Sequence, residues 1–372
     1  MNCFPRIFRV FRGGFCLLLF AIAFCIVCAL IGKALPFPEI PIVSQKLLQM
    51  EERHDDYDTL FIGSSRIHYQ VIPTLFDRLA AEQGFPTRSF NAGVAGMRPP
   101  EDGYFLDRIL QKPPKNLRWV FIELASIRLN VGEEKKQTMR AQYWHDWPRL
   151  TMLWRRATTL KPVSKKKDTW KRAAKELAES MGEFLDHLEL FVRHQTNFGR
   201  GTILTSRLLS KARPAKPRRL VGALGENFAG WIPTGRPEEM IPENRATYDQ
   251  ELAERRAQPA VRDLADPVSQ QALETMIAKV ERLGATAILV VPPTTNKRNF
   301  FPRPEREQRS IVLDFGELDR HPELFTHENR LDSDHVNTAG AHVFTRILVQ
   351  RWVEELRARR HPEPHVPAPA AL

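Results

Sequence analysis

LRWVFIEL, residues 117–124, is almost unbroken in apolar residues and lacks the alternation of a strand with one face in water. Runs of this kind mark strands buried on both faces, as in sheets covered by helices on each side. Upstream of it lie a helix-period stretch, EDGYFLDRILQK (101–112), a short strand at 89–91, an amphipathic stretch at 73–82 and a first strand at 58–62. This βαβαβ order predicts a parallel sheet flanked by helices, an α/β fold. Downstream, a helix at 267–283 leads to the strand ATAILVVPP (285–293), and a further strand is expected at IVLDF (311–315). A long helix begins near Thr338 and places Phe344, Leu348, Trp352 and Leu356 on one stripe.

Between the two halves the pattern breaks. From 130 to 266 the chain is rich in Lys, Arg and Trp, with helical stretches such as DTWKRAAKELAESMGEFLDHLELFVRH and no run that reads as a buried strand. This segment is expected to be an inserted helical subdomain. Its basic runs at 165–167 and 213–219 suit either a solvated face or a contact with anionic lipid or polymer. Trp144, Trp147 and Trp154 suit core packing of the insertion or stacking on sugars.

At the other end, Arg6, Arg9 and Arg12 precede GFCLLLFAIAFCIVCALIG (14–32), which carries no charge. As a helix rising ~1.5 Å per residue it would reach about 28 Å, enough for the hydrocarbon core of a bilayer. The arginines should stay cytoplasmic, leaving the body periplasmic or extracellular. A cleaved signal peptide is the competing reading, but the apolar run exceeds the ~7–15 residues usual for one. The expected divisions are an anchor at 1–36, a first α/β part at 37–129, the insertion at 130–266, a second α/β part at 267–358 and a disordered Pro/Ala-rich tail at 359–372.

Composition narrows the function. The 372 residues include 42% hydrophobic and 27% charged ones, enough for one large domain or two ordinary ones. All four cysteines, Cys3, Cys16, Cys25 and Cys28, precede the body, which removes structural disulfides and cysteine catalysis from it. The net charge of +11 would suit nucleic acid or an anionic surface. No zinc-finger spacing, aromatic RNA-binding strand or basic zipper accompanies it, so nucleic acid is not an expected partner.

Ligands of open parallel sheets bind beyond the carboxyl ends of the strands. Three such places carry unusual residues: GSSR (63–66), NAGVAG (91–96) and LDSDHVNTAGA (331–341). Each has a plain reading by itself, as a turn, a glycine-rich loop and a helix-capping turn with Asn337 or Thr338 as N-cap. Together they offer more. A serine hydroxyl needs a base to take its proton, and a carboxylate to hold that base in the right tautomer. Asp332 and His335, three apart, supply both from one turn.

With these pieces in this order, the chain resembles the SGNH/GDSL hydrolase superfamily over roughly 57–128 and 267–352, around the insertion. GSSR in place of GDSL, the extension RIHYQVIP and the ending LDSDHVNTAGA resemble its membrane-anchored branch, which includes the D-alanyl transfer protein of lipoteichoic acid and the alginate O-acetyltransferases. The resemblance implies a flavodoxin-like, three-layer α/β/α fold with Ser65 as nucleophile, His335 as base and then acid, and Asp332 as the orienting carboxylate. Ser65 is preferred to Ser64 because it holds the third position of the G-x-S block. The N–H groups of Ser65 and Gly96 would form the oxyanion hole. The family's third block, G-x-N-D, is replaced by Ala125, Ser126, Ile127 and Arg128, so its Asn is missing. Ser126 and Arg128 are the available substitutes.

Arg66, His68 and Asn91 are further candidates for substrate contact; Arg66 has the alternative of pairing with an acidic residue of its own helix, and His68 that of a core or surface histidine. Asp334 should point away from the ring that Asp332 holds. No metal-ligand spacing stands out, and the chemistry needs no metal or cofactor. The expected activity is that of an extracytoplasmic O-acyltransferase working on a cell-envelope or secreted glycan, with a multi-pass membrane acyltransferase as acyl donor. It should weaken as pH drops through about 6 to 7, where histidine takes up a proton. A carbohydrate esterase, or an inactive glycan-binding protein with the same cleft, are the alternatives.

Overall fold

The computed structural model describes residues 4–159, 169–201, 203, 229–234, 240–258, 261–296 and 298–360. The basic runs at 165–167 and 213–219, and the tail beyond 360, lie outside them. In chain order the helices are α1 (Phe4–Ala34), α2 (Val43–Arg53), α3 (Ser65–His68), α4 (Pro73–Glu82), α5 (Glu101–Leu110), α6 (Glu133–Lys136) and α7 (Met139–Gln142). They continue as α8 (Trp147–Thr158), α9 (Thr169–Gln195), α10 (Pro242–Ala257), α11 (Pro267–Arg282), α12 (Pro304–Arg309) and α13 (Thr338–Arg360). The strands are β1 (Thr59–Ile62), β2 (Ser89–Asn91), β3 (Trp119–Glu123), β4 (Val261–Leu264), β5 (Thr286–Val291), β6 (Arg298–Phe301) and β7 (Ile311–Asp314). Residues 1–44 and 129–218 form one compact unit, and 45–128 with 219–372 form a second.

The second unit holds the sheet. Five strands run in the order β2-β1-β3-β5-β7, every neighbouring pair parallel. Counted within this sheet the order is 2-1-3-4-5, which reverses direction beside the first strand and so opens a crevice there. Leu60, Phe61, Ile62, Val120, Phe121, Leu289 and Val290 are all buried, as the unbroken apolar runs require. On one face Phe61 stacks on Phe121 at 4.6 Å, and both join Phe76 of α4 and Trp352 of α13 in a single apolar cluster. Trp352 lies 5.3 Å from Phe76 and 5.4 Å from Trp119, ring centre to ring centre. The stripe foreseen on α13 is buried throughout. On α11, Pro267 occupies the first turn and Asp266 caps it by accepting from the N–H groups of Val268 and Ser269 at 3.1 Å each.

Two features depart from expectation. The segment expected to be wholly helical contains β4, which pairs in parallel with β6 in a separate two-stranded sheet. Its four residues, VRDL, show no apolar alternation, so their sequence pattern does not mark a strand. The insertion also ends earlier than its composition suggested: α10 belongs with the sheet, burying Tyr248 and Leu252 in the main cluster and donating from Arg255 to the Gly316 carbonyl at 2.7 Å.

The first unit contains α1 and the helices α6 to α9. Within α1, residues Phe15–Ala34 have a mean hydropathy of 3.0 and are almost entirely exposed, so this helix is long and apolar enough to cross a membrane. Of the three tryptophans, Trp144 is buried and stacks on His145, while Trp147 and Trp154 remain largely exposed against Phe191 and Phe184.

Beneath Trp144 lies a buried histidine pair. His187 Nε2–H donates to the Leu129 carbonyl at 2.8 Å, so His187 Nδ1 accepts from His145 Nε2–H at 2.9 Å. Burial, reinforced by the neighbouring His187, pushes His145 from 6.5 down to about 2, and burial pushes His187 down to about 4. The unfolded chain therefore takes up protons that the folded unit refuses. Stability of this unit should be complete above pH 6.5 and fall, as pH drops toward 4, by up to about 1.4 kcal/mol per pH unit for each ring. Denaturant unfolding followed by tryptophan fluorescence checks this; a stability that stays constant from pH 7 to about 4.5 would refute it.

Candidate active site

The first strand delivers the serines. Gly63 follows β1, Ser64 caps α3 by accepting from the Arg66 N–H at 3.2 Å, and Ser65 is the first helical residue. A side chain at 63 would force its surroundings to shift: a Cβ there would stand 2.5 Å from Glu123 Oε2 and 2.6 Å from Ile67. Glu123, the last residue of β3, is buried directly beneath this turn. Its Oε2 accepts from the Ser64 N–H at 2.6 Å, and its Oε1 from the Ser64 hydroxyl at 2.9 Å and from Arg66, whose nearest nitrogen is at 2.6 Å. Arg66 thus pairs with the neighbouring strand and not with an acid of its own helix.

The second loop is held from below. Asn91 is fully buried; its Nδ2 donates to the carbonyls of Ile67 and Val71 at 2.7 and 2.8 Å, and its Oδ1 accepts from the Gly93 N–H at 3.0 Å. The Val94 N–H donates to the Gly63 carbonyl at 2.9 Å, tying this loop to the serine turn. These bonds make Asn91 a brace and correct its reading as a substrate contact. His68 is likewise buried, with Nδ1 2.9 Å from Lys46 Nζ, which corrects its reading as part of a pocket wall. Lys46 also donates to the carbonyls of Asn91, at 2.8 Å, and Gly93. Burial pulls this amine well below its ordinary value. Gly96 stands at the exposed end of the loop with φ +74°, a left-handed backbone that glycine adopts freely.

The third turn precedes α13. Asn337 is its N-cap, accepting from the Gly340 N–H at 2.8 Å. Arg330, fully buried, donates to the carbonyls of Asp332 and Pro293 at 3.1 and 3.2 Å, and its guanidinium lies 5.7 Å from the rings of Tyr248 and Phe325. Asp334 does turn away, accepting from Thr294 at 2.8 Å and Asn296 at 2.7 Å. Asp332 Oδ1 accepts from the backbone N–H groups of Asp334 and His335 at 2.9 and 2.8 Å.

These turns meet. Ser65 Oγ lies 2.7 Å from His335 Nε2, and His335 Nδ1 lies 2.8 and 3.0 Å from the two oxygens of Asp332. Since the carboxylate can only accept, Nδ1 carries the proton, and Nε2 is free to accept from the serine hydroxyl. Burial raises the Asp332 carboxyl, but the hydrogen bond and charge of His335 and the two backbone donors outweigh it, leaving Asp332 below the ordinary carboxylate value. The side chains of His335 and Asp332 keep about a quarter of their surface exposed, at 25% and 26%.

Ser126 is half-buried and Arg128 exposed on the loop after β3, which is pinned where the Ile127 N–H donates to Ser269 at 3.1 Å. Arg98, not singled out from the sequence, belongs to the same neighbourhood: burial, then the positive charges of Arg128 and Arg66, lower its guanidinium below the usual value. Glu123, Lys46 and Arg330 were also missed. A lone charge inside or beside an apolar run, as in VFIEL, is the only sequence signal that marks Glu123. Among the described residues no three His, Cys, Asp or Glu side chains are gathered to hold a metal ion. Compared with known proteins, the chain matches no family model and no curated protein.

Removing the carboxylate under the serine turn should be costly. Glu123→Ala is expected to lower stability by about 3 kcal/mol, the lower end for a broken buried pair because Arg66 keeps some solvent. Glu123→Gln, which retains the shape, should lose about 1–2 kcal/mol. Both are read as shifts in the urea midpoint at constant slope; a loss under about 0.5 kcal/mol for the alanine variant would be that of an ordinary surface site and would refute the role.

Proposed function

We propose that this chain is a membrane-anchored serine acyl enzyme of the SGNH/GDSL type, an O-acyltransferase whose body works outside the cytoplasm on a cell-envelope or secreted glycan. The observation that carries the reading is the hydrogen-bonded series Ser65, His335, Asp332 at 2.7 and 2.8 Å. The strand order, with the serine turn beside the point of reversal, supports a flavodoxin-like fold of that superfamily.

In the reaction, His335 Nε2 takes the Ser65 hydroxyl proton as Oγ attacks the acyl carbonyl, and Asp332 stabilises the resulting imidazolium. The oxyanion is held by the N–H groups of Ser65 and Gly96; removal of one such donor typically costs about 10²–10³ in turnover. The imidazolium returns its proton to the leaving group, and an acyl-Ser65 ester remains. An acceptor hydroxyl then gives its proton to Nε2, attacks the ester and carries the acyl group away, while Nε2 returns that proton to the departing Ser65 Oγ. The exposed Arg98 and Arg128 favour a donor or acceptor that bears negative charge, Arg66 being already paired with Glu123. A multi-pass membrane acyltransferase would deliver the acyl group across the bilayer.

Intact-mass analysis of the full chain in detergent, after exposure to a fluorophosphonate or a reactive acetyl ester, tests the proposal. A single adduct is expected on the parent, absent from Ser65→Ala and formed about 10³-fold more slowly, or slower still, in His335→Gln. An acetyl adduct that persists in water and is discharged by glycan identifies a transferase, and one cleared by water an esterase. A folded parent that takes no adduct from either reagent would overturn the enzymatic reading in favour of a binding protein.

A further inference from the structure

Helix α9 has more apolar surface than its own unit covers. Phe184, His187, Leu190 and Phe191 point into the unit and are buried. Leu177, Met181, Leu185, Leu188 and Val192 recur at helical spacing along an adjacent face. Leu185 is 58% and Val192 50% exposed, and Phe198, just past the helix end, is 60% exposed. An amphipathic helix of a water-surrounded domain needs one apolar stripe; α9 has two.

Where α9 ends identifies what the second stripe meets. Asn197 Nδ2 donates to the Cys28 carbonyl at 2.8 Å, and Arg200 donates to the carbonyl of Pro36. Gly32 leaves room for this approach, since a Cβ there would come within 3.2 Å of Asn197 Oδ1. Cys28 is buried at this contact, while Ile26, Val27 and Leu30 around it are about half exposed or more. It lies six residues, about 9 Å of helix, inside the end of the apolar stretch at Ala34. A bilayer that covers α1 as far as Cys28 therefore reaches Asn197 and Phe198. Arg193, with its guanidinium 5.3 Å from the Phe198 ring, is paired with Glu189 at 2.6 Å and donates to Gln137 at 2.7 Å, so its charge at that boundary is compensated within the unit.

We propose that α9 is an interfacial helix that lies on the bilayer α1 crosses, with its stripe from Leu177 to Val192 and Phe198 set into the boundary between headgroups and acyl chains. Trp147, 66% exposed against Phe191 near the same end of α9, adds an aromatic side chain suited to that layer. The inference rests on α1 as the membrane helix and is independent of any chemistry at Ser65.

The test is collision accessibility of spin labels in the full chain, reconstituted into phosphatidylcholine vesicles after its native cysteines are replaced by serine. Single cysteines at Leu185 and Val192 report the stripe, Glu179 the opposite face, and Ala23 the middle of α1; all four positions are exposed, so labelling removes no core contact. Labels at 185 and 192 should show a several-fold higher ratio of oxygen to nickel-chelate collisions than at 179, placing them about 5–10 Å below the headgroup boundary. A lipid-like ratio at 23 with water-like ratios at 185 and 192 overturns the proposal while leaving the anchor intact. Labels at 185 and 192 shielded from both reagents would assign the stripe to a second copy of the chain and overturn it also. A water-like ratio at 23 would remove the anchor, and the inference with it.

Discussion

The carboxylate of Glu123 is the interaction on which the arrangement around Ser65 depends. It stands at the end of the central strand β3, out of water, and takes hydrogen bonds from the Ser64 amide, the Ser64 hydroxyl and the Arg66 guanidinium. A buried charge is tolerated only when its acceptor capacity is filled, and the GSSR turn fills it. The dependence runs both ways. Without the carboxylate, the Ser64 donors would be stranded under the turn; without the turn, the charge would have nothing to hold. Ser65 is consequently presented by its neighbours on both sides, since Ser64 and Arg66 are both anchored to the same carboxylate, Ser64 through both oxygens and Arg66 through Oε1.

The same device recurs at the other two turns with the charge reversed. Lys46 gathers the carbonyls at the start of the second loop, and Arg330 gathers those of the Asp332 turn and the loop after β5. Loop carbonyls near a sheet end have no ladder partners, and a buried cation satisfies several at once. Glu123 therefore organises amides and hydroxyls, while Lys46 and Arg330 organise carbonyls. Rigid turns of this kind are what a hydrogen-bonded series needs if its distances are to be kept without substrate present.

Much of the architecture was legible because it rests on periodicity. The runs at 117–124 and 285–293, and the stripe on α13, declare their burial through spacing alone, and each forms within a few residues of its expected ends. Asp332 and His335 were legible as a pair because one turn contains both. Their meeting with Ser65 came from resemblance and from the rule that strand ends share one edge of the sheet. Glu123, Lys46 and Arg330 were not legible, since a charged residue in an apolar context reads as a strand end or a helix surface until its distant partners are known. Asn91 misled for the opposite reason: an amide in a glycine-rich loop looks available, yet its bonds go to α3 and the residues just after it. β4 escaped because its four residues show no apolar alternation.

The separation of Ser65 from His335 has a consequence for how the protein is made. The two residues that share the 2.7 Å hydrogen bond are 270 positions apart, and the histidine belongs to the last turn before the final helix. Synthesis proceeds from the N-terminus, so the serine turn leaves the ribosome, and in a membrane-inserted chain clears the bilayer, long before its histidine partner exists. Throughout that interval the hydroxyl is an ordinary alcohol. Whatever the histidine confers on that hydroxyl waits until residue 335 has been made, and a copy that stops before it lacks the pair altogether.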